Sequence, residues 1–147
     1  MTTAWDAAVR NSLAARAARL HADAKPAWGK LNVSGMLAHL NDSYRMALGD
    51  LEVKAVHLPL RYPPLRQMVI YWMPIPKSAP TAPELIRRAD HAVLAEEQQV
   101  FPQLLHRVGA AVPGSLVPHP AFGNMSHAEW GVLIAKHTDH HLRQFGA

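Results

Sequence analysis

The sequence predicts an all-α chain, a four-helix bundle in which a long proline-rich crossover, itself containing a short helix, joins the second and third helices. Three observations point to the helical bundle. Four segments carry apolar residues at three- and four-residue steps, capping residues bracket two of them, and seven of the twelve prolines lie between Asp50 and Pro83. No segment shows the alternation of a strand. A length of 147 residues suits one domain with its own core, spanning residues 1–147.

The first helix is expected from Ala4 to about Ala24, where Trp5, Val9, Leu13, Ala17 and Leu20 make an apolar stripe. The run KPAWGKL, Lys25 to Leu31, breaks it with Pro and Gly. The second helix starts at Asn32 as N-cap and ends at Leu48, with Gly49 as terminator. Its apolar face is Met36, Leu37, Leu40, Tyr44 and Ala47, and His39 lies on the edge of that face.

In the crossover, Pro64 is placed to open a short helix through LRQMVIYWM, and Pro74 and Pro76 to close it. Six apolar residues cannot span a bilayer, so MVIYWM reads as an apolar cover over the bundle, with Arg61, Arg66 and Lys77 as a solvated rim or, less favoured, as contacts for an anionic ligand. The third helix is expected from Glu84 or Ala89 to Val108, facing inward through Val93, Leu94, Val100, Phe101, Leu104, Leu105 and Val108, with a kink or break at Pro102. Glu97 falls on that stripe, where it either pairs with an arginine or supports acid–base chemistry.

The fourth helix, Ser126 to Phe145, has the clearest ends. Ser126 and Glu129 form a capping box and Gly146 a stop. Trp130, Leu133, Ile134, His137, His141 and Phe145 recur along one stripe, so two histidines stand at core-type positions. Four residues apart on a helix, they are displaced by about 6 Å along the axis and about 40° around it, within reach of one metal ion. Spacing alone says little. With ten histidines in the chain, roughly two-thirds of one His-x-x-x-His pair is expected by chance.

Composition narrows the chemistry. The chain has no cysteine, which excludes disulfides and thiolate metal sites and leaves His, Asp or Glu as ligands. The start MTTAWDAAVR has no apolar signal core, and no run is long enough to span a bilayer, so a soluble cytoplasmic protein without membrane contact is expected. The formal charge of +4 is scattered, with no basic cluster interleaved with aromatics, and so supports no nucleic-acid partner.

A di-iron bundle would need several inward carboxylates, which are lacking. A zincin would need Glu after the first histidine of the pair, where Thr138 stands. What remains is a mononuclear site of His39, His137 and His141. Three neutral imidazoles with an open position are a catalytic ligand set, suited to Zn²⁺, with Ni²⁺ or another transition metal as the alternative. His140 reads as an alternative ligand or as support at the rim. Gln144, three residues past His141, reads as a holder of an imidazole or as a surface amide. With Glu97, these two are the candidates for a catalytic role. His119, in the HPAFG loop, shapes a turn or reaches the site mouth. His21, His57, His91, His106 and His127 are assigned to the surface.

The blocks WGKLNVSGMLAHLNDSYRMALG and HPAFGNMSHAEWGVLIAKHTDHHLRQFG, separated by the proline-rich crossover, resemble the DinB/YfiT-like superfamily of metalloenzymes, in particular a branch ending in HHLRQFG. The resemblance implies a four-helix bundle, often a homodimer, with a divalent metal on one histidine of helix two and a His-x-x-x-His pair of helix four, positions matched by His39, His137 and His141. It also implies a small-molecule partner, a low-molecular-weight thiol in the S-transferases of the superfamily. Two functions are therefore weighed: a metal-dependent enzyme of hydrolase or thiol-transferase type that activates water or a thiol, and a non-catalytic dimeric metal-binding or scaffold bundle.

Overall fold

The computed structural model describes residues 1–77 and 79–147, and among them the chain is all-helical, with no strand. A lone backbone bridge joins His119 to Gly123. The elements are α1 (Ala7–Ala18), α2 (Val33–Leu48), a short α3 (Leu65–Gln67), α4 (Leu94–Gly109) and α5 (His127–Gln144). No helix among the described residues is long and apolar enough to cross a membrane.

Four long helices share one core. α2 packs along α4, while α1 lies against α4 and α5. Met36, Leu37, Leu40, Phe101, Leu105, Val108 and Leu142 are buried between them, the largest favourable contribution to folding. Inside this apolar volume the Tyr44 hydroxyl meets Thr138 Oγ1 at 2.6 Å, which satisfies two groups that would otherwise be costly to bury. The α5 face that enters the core is Trp130, Ile134, Ala135, Thr138 and Leu142. His137 and His141 flank this stripe rather than belonging to it, because Thr138 and Leu142, one residue further along, take the inward positions.

The expected caps account for two helices. Asn32 Oδ1 accepts from the amide of Gly35, and Gly49 takes a left-handed φ of 87°. Ser126 and Glu129 form the reciprocal capping box. The other two helices are shorter than their apolar periods suggest. α1 starts on an Asp6 cap and stops at Ala18 instead of about Ala24, where the Gln98 side-chain amide donates to the carbonyls of Ala17 and Leu20 and satisfies the helix end from another element. α4 begins only at Leu94. The residues before it form 3₁₀ turns at Pro83–Leu85 and Ala89–His91, and Val93 is its exposed N-cap rather than an inward residue. α4 also runs through Pro102 without a break; Pro102 is exposed, so water can satisfy the carbonyl that its missing N–H leaves free.

The crossover helix opens at Pro64 and continues as a π-helical turn over Met68–Trp72. Ile70 is fully buried against Phe122 and Val132 in a second, smaller cluster. Lys136 of α5 donates to the carbonyls of Val69, Ile70 and Met73 and closes the end of the turn. Arg61 and Arg66 do not form a free rim. Arg61 donates to the carbonyl of Pro120, and Arg66 to those of Arg61 and Phe122, so both tie the crossover to the loop before α5.

Candidate metal centre

The site is built from α2, α5 and two loops. His39 is buried at 3% exposure, while His137 and His141 are partly exposed. One nitrogen from each of the three can be chosen so that all lie within 4.8 Å of one another, a group that could hold a metal ion. The Nε2 atoms of His39 and His137 are 3.1 Å apart, close to the edge of about 3.3 Å in an ideal tetrahedral zinc site.

The hydrogen bonds around the rings decide which nitrogens are free. His39 Nδ1 lies 3.1 Å from the carbonyl of Leu85. A carbonyl can only accept, so Nδ1 carries the proton and Nε2 keeps its lone pair. For His141 the reasoning takes one more step. Gln144 Nε2 donates to the carbonyl of Trp28 at 2.7 Å, which fixes the amide orientation and points Gln144 Oε1 at His141 Nδ1, 2.8 Å away. Nδ1 of His141 must then be the protonated nitrogen, and its Nε2 is free as well. Two rings are thereby held by fixed partners with their Nε2 lone pairs free, the usual way in which a metal-ligating histidine is oriented.

Gly29 makes this arrangement possible. It has φ 82°, and a Cβ there would lie 2.7 Å from Gln144 Nε2, so any other residue would push the amide away. Replacing Gln144 by Ala is expected to weaken metal affinity about 10- to 100-fold, measured by competition with a chromophoric chelator. Unchanged affinity would show that the amide does not orient His141.

Burial holds the three imidazoles neutral, the form that ligates metals. His137 is held well below the usual histidine range, mainly by burial and further by His141 and His39. His141 is lowered to about 3, by burial first and then by His39. For His39, burial outweighs the opposing hydrogen bond to Leu85. In the unfolded chain such groups protonate near 6.5, so their contribution to stability is full above about pH 6.5 and is lost as pH falls toward the folded values, at up to about 1.4 kcal/mol per pH unit for each. The urea midpoint of chelator-treated protein is expected to drop between about pH 7.5 and pH 5. A midpoint that stays level or rises on acidification would rule out burial of neutral histidines.

The other candidates fall in different places. His140 is partly exposed, its ring centre 5.2 Å from that of His141 and 5.3 Å from that of Trp28, so it borders the site. Glu97 bonds Arg88 and Asn41 instead of a histidine. His119 Nδ1 accepts from the amides of Ala121 and Phe122 and so shapes its turn. His127 is not a free surface residue. Its ring stacks on Trp5 at 4.2 Å, and its Nε2 bonds the carbonyl of Ala111. Trp28 and the Leu85 carbonyl join the site without a signal in the sequence. Trp28 lies in a run that reads only as a helix breaker, and a backbone carbonyl has no sequence signal.

A family model described as "Protein of unknown function (DUF1569)" matches residues 6–147. The chain belongs to that family. The match takes in both helices that supply the histidines, so the three-histidine group lies wholly inside the DUF1569 region. No curated protein and no solved structure matches the chain.

Proposed function

We propose that this DUF1569 chain is a four-helix bundle of the DinB/YfiT-like type that holds one divalent metal on His39, His137 and His141 and acts as a mononuclear metal-dependent enzyme, a hydrolase or thiol S-transferase. The observation that carries this reading is the pair of fixed acceptors, the Leu85 carbonyl and Gln144 Oε1, which leave the Nε2 lone pairs of His39 and His141 free in a group whose ligand atoms lie within 4.8 Å of one another. In the metal-free protein the His39 lone pair can accept a hydrogen bond from His137 Nε2–H at 3.1 Å. Around a cation the free lone pairs are ligands.

Zn²⁺ at such a site supplies a Lewis acid that lowers the pKa of a bound water or thiol. The chain does the rest. His39, at the buried end, sets the depth of the site; His137 and His141, partly exposed, leave it open on the solvent side. Trp28 and His140 border that opening, with Lys77 Nζ 4.9 Å above the Trp28 ring. A small molecule such as a low-molecular-weight thiol would approach from that side.

The test is elemental analysis of untagged protein, followed by thiol titration of the Co²⁺-substituted form. About one equivalent of metal per chain and a thiol-dependent change in the visible spectrum are expected. Protein purified without metal that also fails to take up Zn²⁺ or Co²⁺ would defeat the reading. Full occupancy with a spectrum indifferent to thiols, water analogues and imidazole would reduce it to a closed structural site.

A further inference from the structure

The crossover carries a feature that the metal site does not use. In the π-helical turn, Ile70 points inward and is fully buried, whereas Met68 and Trp72, four residues apart and so on one face, are 42% and 73% exposed. Met73 continues this ridge at 46% exposure, and Tyr62, just before the turn, is 66% exposed. Single exposed apolar residues are ordinary, but several in one short segment mark a contact surface.

Charge selects the partner. From Val53 to Pro83 the sequence has Lys54, Arg61, Arg66 and Lys77 and no Asp or Glu at all. Arg61 and Arg66 are held by backbone carbonyls, and Arg66 is 15% exposed with the Glu129 carboxylate 3.5 Å away, so the exposed cations of the segment are Lys54 and Lys77. A second copy of the chain packed on this ridge about a two-fold axis would bring like charges together. A surface that is both negative and apolar just beneath would complement the segment instead. Exposed Trp, Tyr and Met beside cations are the composition that settles at the headgroup level of an anionic bilayer without spanning it.

We infer that the exposed apolar residues Tyr62, Met68, Trp72 and Met73, with Lys54 and Lys77 of the same segment, dock the protein peripherally on an anionic lipid surface. This stands apart from the metal-site reading, and either can fail without the other.

The test is co-sedimentation of the full chain with vesicles of phosphatidylcholine alone or containing about one-third phosphatidylglycerol. Binding is expected only to the anionic vesicles and should fall steeply as salt is raised from roughly 0.05 to 0.5 M. Trp72→Ser should weaken partition about tenfold, with Met68→Ser as a second variant should the first not fold. Brominated lipid should quench the fluorescence of the wild-type protein, since Trp72 is far more exposed than the buried Trp130 or the partly covered Trp5 and Trp28. Equal binding to both vesicle types, or partition unchanged in both variants, would overturn the proposal. Self-association of the wild type that Trp72→Ser abolishes would assign the ridge to a second copy and overturn it too.

Discussion

Replacing His137 by Ala is expected to strip the metal from the protein, with affinity falling by more than the 10- to 100-fold typical of losing an outer partner such as Gln144. His137 Nε2 lies 3.1 Å from His39 Nε2. Its removal leaves one ligand on α2 and one on α5. Two imidazoles do not make a tight zinc site, and the freed volume opens to water on the side where His137 is already partly exposed. Three measurements check this. Metal content should drop from about one equivalent to near zero, added Zn²⁺ should raise the melting temperature of the wild type but not of the variant, and far-UV circular dichroism should show the helices intact. His140→Ala is the control, since its ring lies beside His141 but outside the group; it should keep its metal. Full occupancy in the His137 variant, or equal loss in both, would remove His137 from the ligand set.

What the sequence makes legible follows from where the determining interactions lie. α2 and α5 end where local chemistry ends them, at Asn32 and Gly49 and at the Ser126–Glu129 box, so a reader of neighbouring residues finds them. The pairing of His137 with His141 is equally local. α1 and α4 are different. The apolar period of α1 continues past Ala18, but Gln98, 80 residues away, satisfies its end. The residues before Leu94 form 3₁₀ turns packed on α2, where a Cβ at Gly35 would come within 3.0 Å of the Ala89 carbonyl. Such ends depend on tertiary contacts that no window of sequence contains. At the candidate site the histidines are readable, but their tautomers are not, because these depend on a backbone carbonyl of the crossover and on an amide oriented from the α1–α2 loop. On α5 Trp130, Ile134 and Phe145 are buried as their spacing predicts, but Thr138 and Leu142 take the inward positions in place of His137 and His141. Thr138 looks polar, yet its hydroxyl is spent on Tyr44, which lets it enter the core and sets the histidines to the side.

Arg88→Ala is expected to cost about 2–4 kcal/mol of stability while leaving the metal in place. Arg88, just before the 3₁₀ turn at Ala89–His91, joins two helices through their carboxylates. Its Nη1 lies 2.6 Å from Glu97 of α4, its Nη2 3.0 Å from Asp42 of α2, and both carboxylate side chains are more than 90% buried. Removing the cation strands two buried anions, and breaking a buried pair in this way commonly costs about 3–5 kcal/mol. The expected loss is smaller because Arg88 itself is 42% exposed, so water can reach part of the vacated space, and because Arg45 still pairs with Asp42 and Asn41 with Glu97. The loss should carry a pH signature. Burial opposes ionisation of Glu97, but the hydrogen bonds from Arg88 and Asn41 outweigh it and hold the carboxyl below its usual range. The stability it contributes is therefore present above the unfolded value of about 4.3 and is lost as pH falls through the lower folded one. Without Arg88, burial is opposed only by the weaker remaining partners, so Glu97 should protonate at higher pH. The gap between wild type and variant in urea midpoint should then be widest near neutrality and narrow in acid. A loss under about 1 kcal/mol would show the bridge to be solvent-screened, and a loss of metal alongside stability would tie the bridge to the positioning of His39, one turn before Asp42 on α2.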